Sequence, residues 1–107
     1  DQASAFAQDP LALSLAQHLV ARGGDQELPP EQRAFVYMPY MHSESPLIHQ
    51  EALRLFDQPG LERNLHFERR HWAIIERFGR YPHRNAILGR ESTEEEQAFL
   101  RQPGSSF

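Results

Sequence analysis

Leu11, Leu15 and Leu19 recur at every fourth position of the first long apolar segment, and Ala12, Leu13, Ala16 and Val20 widen the stripe. That spacing predicts one face of a helix. Asp9-Pro10 reads as its start, an N-cap aspartate before a proline at the first helical position, and Gly23-Gly24 as its end. The ASAFA run before it is apolar enough to pack but too short to assign. After the loop GGDQELPP, Phe35, Val36, Met38 and Met41 mark a second helix. Pro39 has no N–H to donate and is expected to kink or divide that helix near residues 35–38. Ser45-Pro46 repeats the cap-then-proline signal and opens a third helix with the stripe Ile48, Ala52, Leu55 and Phe56. Gln58-Pro59-Gly60 turns the chain.

The fourth segment, Leu61 to Phe78, is the longest. Leu61, Leu65, Trp72 and Ile75 form one row, and Phe67, Ile74 and Phe78 an adjacent one. Gly79 stands where a helix C-terminus calls for a left-handed residue. Ser92–Glu95 has capping-box spacing and opens a fifth helix through Ala98, Phe99 and Leu100 to about Gln102, where Pro103-Gly104 stops it. The nearest candidate strand, YMPYM, carries a central proline that argues against it. The pattern therefore predicts an all-α chain of four or five helices in antiparallel pairs, as a bundle or a helical-repeat array.

Composition narrows this picture. A length of 107 residues suits one domain or part of one, and 39% hydrophobic residues are enough for a modest core. No apolar run reaches the roughly 20 residues of a membrane span. Helix 61–78 has arginines opposite apolar residues, but its Trp and Phe suit a core better than a membrane surface. No targeting pattern is visible, so the cytoplasm is the default expectation. Cysteine is absent, which removes disulfides and thiol catalysis.

The net charge of −4 is unevenly spread. Residues 1–60 sum to −5, residues 61–90 to +4 and residues 91–107 to −3, and every basic side chain counted is arginine. The basic stretch is short and flanked by acids, which disfavours nucleic acid as a partner.

The candidate chemistry lies near that stretch. His71 falls on the apolar face of the fourth helix, either as a core histidine bonded to a carbonyl or as a group in a polar pocket. His42-Ser43-Glu44 joins the second and third helices, where polar side chains can satisfy free backbone groups. His42, Glu44, His71 and His83 lack the His-x-x-x-His spacing of a zinc helix, so no metal is expected. No nucleophile elbow, phosphate-cradling loop or dinucleotide fingerprint occurs, and no cofactor or catalytic residue is assigned. Glu94, Glu95 and Glu96 suit the positive end of a helix. Arg80, His83, Arg84, Asn85 and Arg90 crowd the loop after Gly79. Two arrangements fit them: a structural staple, bonding helix-end carbonyls and pairing with Glu44 or Glu51, or a lining for a small carboxylate or phosphate beside His42 and His71.

LPPEQRAFVYMPYMHSES and RRHWAIIERFGRYPHRNAILGRESTEEEQAFL resemble the bacterial family catalogued as domain of unknown function 924. FGRYPHRNAILGRESTEEE is the specific part, and the similarity runs from about Ala5 to Leu100. The resemblance implies an all-helical, tetratricopeptide-repeat-like α–α superhelix with no established activity. It also implies further N-terminal helices carrying an earlier aromatic-Pro-Arg-Asn motif, related to Tyr81-Pro82-His83-Arg84-Asn85. On that footing residues 1–107 are expected to be the C-terminal part of a single helical-repeat-like domain. Ser45-Pro46 stands where the family often has acidic residues, which affects only the local helix start.

Two functions follow as expectations. The first is a non-enzymatic peptide- or protein-binding scaffold whose partner is a second copy or the N-terminal fragment of the same protein. The second is a small anionic-ligand site or enzyme in which His42, Glu44, His71 and His83 act as polar or acid–base groups and Arg80, Arg84 and Arg90 hold the substrate.

Overall fold

A computed structural model describes residues 9–106. Among these residues five α-helices follow in order: α1 (Asp9–Ala21), α2 (Pro30–His42), α3 (Pro46–Phe56), α4 (Glu62–Phe78) and α5 (Glu94–Leu100). Short 3-10 turns lie at Gly24–Glu27 and Pro82–Arg84. No strand occurs among the described residues, so the all-α class holds. Successive helices pack on one another, α1 on α2, α2 on α3 and α3 on α4. The ASAFA run lies outside the described residues.

Pro39 does not divide α2, which runs unbroken through it. The proline removes a hydrogen bond to the Phe35 carbonyl, four residues back. Phe35 is 79% exposed, so this weak point lies on the solvent side of the helix. The expected stripe is corrected accordingly. Ala34, Tyr37, Tyr40 and Met41 form the buried face, while Val36 and Met38 are only partly covered.

The first helix is also rotated from expectation. Leu13, Ala16 and Val20 meet the core, whereas Leu11 and Leu15 are 65% and 64% exposed. Three- and four-residue spacing fits both rows, and the partner helix decides between them.

The main core joins these faces to Ala52, Leu55 and Phe56 of α3 and to Leu61 and Leu65 at the start of α4. Tyr37 meets Phe56 edge to face at 5.6 Å. Its hydroxyl donates to the buried Asp25 carboxylate and accepts from Gln58 Nε2 at 3.1 Å. Burial, followed by the Asp25 hydrogen bond, pushes the Tyr37 phenol up to about 12. Arg33 ties the same turn down, donating to the carbonyls of Asp25 at 3.2 Å and Leu28 at 2.9 Å and to Gln58 Oε1 at 2.7 Å. A second core gathers Ile74, Ile75 and Tyr81, with Trp72, Phe78 and Phe99 against it.

Tyr37→Phe keeps the ring and removes one partner of a buried carboxylate. It is expected to cost about 1–3 kcal/mol, read as a lower urea midpoint at unchanged slope. An unshifted midpoint would show that the Asp25 contact contributes nothing to stability.

Candidate functional site

Gly79 ends α4 with φ 72°, a left-handed conformation that glycine adopts without steric cost, and its N–H reaches the Ile75 carbonyl at 2.7 Å. The chain then turns sharply and delivers Tyr81, 0% exposed, to the junction of α2, α3 and α4.

Nearly every group expected in the loop is arranged around this tyrosine. Its hydroxyl donates to the Met41 carbonyl at 2.5 Å and meets His49 Nε2 at 2.8 Å. Its N–H donates to Glu44 Oε2 at 2.6 Å, and its carbonyl accepts from Arg90 Nη2 at 3.2 Å. His71 and His49 stand edge-on to its ring at 5.8 and 6.0 Å, and His83 lies tilted at 5.9 Å. The Arg84 guanidinium lies 4.9 Å from the ring centroid, within cation–π range. His42 is half-buried at the end of α2, close enough to His71 to disfavour its charging.

The arginines expected at the site divide by partner. Arg90 grips Glu44 through both ends of its fork, at 2.9 and 3.0 Å, and donates Nε–H to Asn85 Oδ1 at 3.0 Å. Arg80 takes neither Glu44 nor Glu51 but Glu96, with bonds of 2.9 and 2.8 Å, and also reaches the Glu91 carbonyl at 2.7 Å. Glu51 lies exposed on α3.

The Arg80 pairing explains a one-residue correction to the start of α5. STEEE offers the capping spacing in two registers, Ser92–Glu95 and Thr93–Glu96. The chain uses the second: Thr93 Oγ1 accepts from the Glu96 N–H at 3.1 Å, and Glu96 Oε1 accepts from the Thr93 N–H at 2.9 Å. Arg80 holds the Glu96 carboxylate, and Asn85 Nδ2 occupies the Ser92 hydroxyl at 3.0 Å. α5 ends at Leu100, two residues before the expected Gln102.

Charge follows this geometry. The Arg80 hydrogen bond, opposed by burial, brings the Glu96 carboxyl down to about 2. At Glu44, burial pushes upward, but the hydrogen bonds from Arg90 and the Tyr81 N–H prevail and hold the carboxyl below its ordinary range. At His83 burial lowers the pKa, with Arg84 acting in the same direction.

Two central residues fall outside the expected set. His49 and Glu68 are both fully buried, paired Nδ1 to Oε2 at 2.7 Å. His49 Nε2 also donates to the Ser43 carbonyl at 2.6 Å. With Nε2–H so committed, one proton lies between Nδ1 and the carboxyl, and the pair is neutral overall whichever partner carries it. Burial raises the Glu68 pKa, which favours keeping that proton close. Among the described residues Glu68 Oε1 has no hydrogen-bond partner. The signal was present in the register. Glu68 fills the gap in the Leu61, Leu65, Trp72, Ile75 row, and His49 stands three before Ala52 and seven before Phe56. Polar residues at apolar positions of facing helices mark a buried pair. No group of three histidine or acidic side chains among the described residues is arranged to hold a metal.

His71 connects this cluster to an open cleft. Its Nδ1–H donates to the Phe67 carbonyl at 2.7 Å. Beside it a cleft of about 510 Å³ runs between α4 and the C-terminal segment, lined by Phe67, Ile74, Phe99 and Arg70 among others.

A helix-pair protein whose second half is organised around a buried tyrosine with histidine, glutamate and arginine partners is thus defined. The chain belongs to the family of bacterial proteins of unknown function designated DUF924, whose profile matches residues 1–104. It is similar to a protein of unknown function from Agrobacterium tumefaciens, ATU0120, with 44% identity and a TM-score of 0.83 over 89% of this chain. The match spans 53% of that structure, about half its length. No curated protein matches.

Burial, followed by neighbouring His42, His49 and His83, pushes the His71 pKa down from 6.5 to about 4, against the pull of the Phe67 carbonyl. Between those values the unfolded chain binds a proton that the folded chain refuses. The stability is complete above pH 6.5 and declines as pH falls toward 4. From pH 7 to 5 the loss from this group is expected to be about 2 kcal/mol. Urea midpoints at both pH values for the wild type and His71→Gln isolate it, and an equal acid loss in the variant would refute the assignment. Arg90→Lys keeps the charge but loses the fork on Glu44 and the bond to Asn85. It should lower stability by about 1–2 kcal/mol at pH 7, whereas wild-type stability would show that the fork is dispensable.

Proposed function

We propose that the chain is a non-enzymatic binding module, a helical-repeat-like scaffold that docks a partner polypeptide on the outer face of α1. The observation that carries this is the exposed Leu11–Leu15 row, on a helix that already packs its other face through Leu13, Ala16 and Val20. Two large leucines one turn apart form the kind of stripe that a second helix covers. That the match spans only 53% of the Agrobacterium structure favours additional helices of the same protein as the natural occupant. Where those helices are absent, a second copy of the chain can cover the face.

The enzyme reading draws less support. Arg80 and Arg90 are committed to Glu96 and Glu44, so two of its three proposed substrate-holding cations have internal partners. No helix among the described residues is long and apolar enough to cross a membrane, which is consistent with docking on protein.

Light scattering across a concentration series tests the docking face. The 107-residue chain is expected to associate reversibly, and L11E/L15E to remain monomeric with unchanged helical content. A wild type that is monomeric at every concentration overturns the proposal. So does a double variant that associates as strongly as the wild type.

A further inference from the structure

The cleft beside His71 combines three features that the docking face lacks. Its walls are apolar and aromatic, from Phe67, Ile74 and Phe99. Its volume of about 510 Å³ lies within the range of small-molecule sites. It also holds a cation, Arg70, which makes no ion pair or hydrogen bond among the described residues.

The guanidinium is accommodated by Gly104. A Cβ at that residue would stand 2.8 Å from Arg70 Nη2, too close for the two to coexist undisturbed. Gly104 also has φ 79°, where a side chain is strained. The absent side chain therefore leaves room for Arg70 beside the C-terminal segment at the cleft. His71, on the same wall, adds no negative charge to oppose an anion, and the described residues that line the cleft include no carboxylate.

We infer that this cleft binds a small carboxylate with an apolar tail, an arylalkyl or medium-chain acyl acid. Its tail lies among Phe67, Ile74 and Phe99, and its carboxylate meets Arg70. The apolar walls supply affinity, and the single cation distinguishes an acid from its neutral analogue. An isolated, partly exposed ion pair supports a moderate preference. The site is separate from the α1 face, so either proposal can fail without the other.

The test is an NMR titration of the full 107-residue chain with hydrocinnamate and octanoate, each paired with its primary amide. Saturable shifts are expected at His71, Ile74 and Phe99, with the acids binding about tenfold more tightly than the amides. Arg70→Gln should remove that preference while leaving amide binding unchanged, and Arg70→Lys should restore most of it. Arg70 is exposed, so the spectrum of either variant away from the cleft should match the wild type. The inference is overturned if shifts do not saturate, if they fall elsewhere, or if acid and amide bind alike. It also fails if Arg70→Gln retains the preference, or if the glutamine and lysine variants behave identically.

Discussion

The Tyr81 hydroxyl bonded to the Met41 carbonyl is the contact on which the second half of the molecule depends. Met41 lies in the last turn of α2, where carbonyls have no partner within the helix. Tyr81 supplies one donor there, and His49 supplies another to the adjacent Ser43 carbonyl. The backbone of the same tyrosine is clasped by Glu44 and Arg90. Side chain and main chain thus fix the loop to the α2–α3 junction from both sides. Burial raises the phenol's pKa well above its ordinary value, so the hydroxyl remains a donor across the accessible pH range.

Arg80–Glu96 extends this anchoring to α5. A seven-residue helix has few internal hydrogen bonds and forms poorly alone. Its start is stabilised twice, by the Thr93–Glu96 box and by the guanidinium that holds the same carboxylate. Phe99 then meets Phe78 at 5.0 Å, and Arg77 lies 4.5 Å over the Phe78 ring. The order runs from Gly79 through Tyr81 and Arg80 to Glu96, so the outer wall of the cleft depends on the buried hub.

The helices and their turns were largely legible because proline, glycine and capping residues act locally. Ser45-Pro46 and Gly79 each work within a few residues, whereas the capping box was read one residue early, at Ser92–Glu95. What was not legible depends on which neighbouring element prevails. In α1, two leucine-containing rows fit one helix, and only the α2 surface selects Leu13, Ala16 and Val20. In α2, tyrosines form the core because Asp25 and Gln58 satisfy the Tyr37 hydroxyl, a condition set by a distant turn. The candidate site was partly legible for the same reason. Glu44 and Arg90 could be expected as partners, whereas the His49–Glu68 pair requires two helices to be placed in register.

The resulting electrostatics separate two roles that the sequence places in one basic stretch. Residues 61–90 carry a net charge of +4, which invites an anion-binding site in the 80–90 loop. Arg80 and Arg90 are matched by Glu96 and Glu44, and Arg84 lies over Tyr81. An anion placed there would compete with carboxylates already held by forked hydrogen bonds, an exchange with little net gain. Arg70 makes no such contact among the described residues, so an anion reaching it would have no carboxylate to displace there. The Arg70 charge, the apolar wall and the open volume coincide on α4, about two turns before that helix ends. The loop that concentrates the arginines therefore ties helices together, and the proposed anion site falls on the helix preceding it.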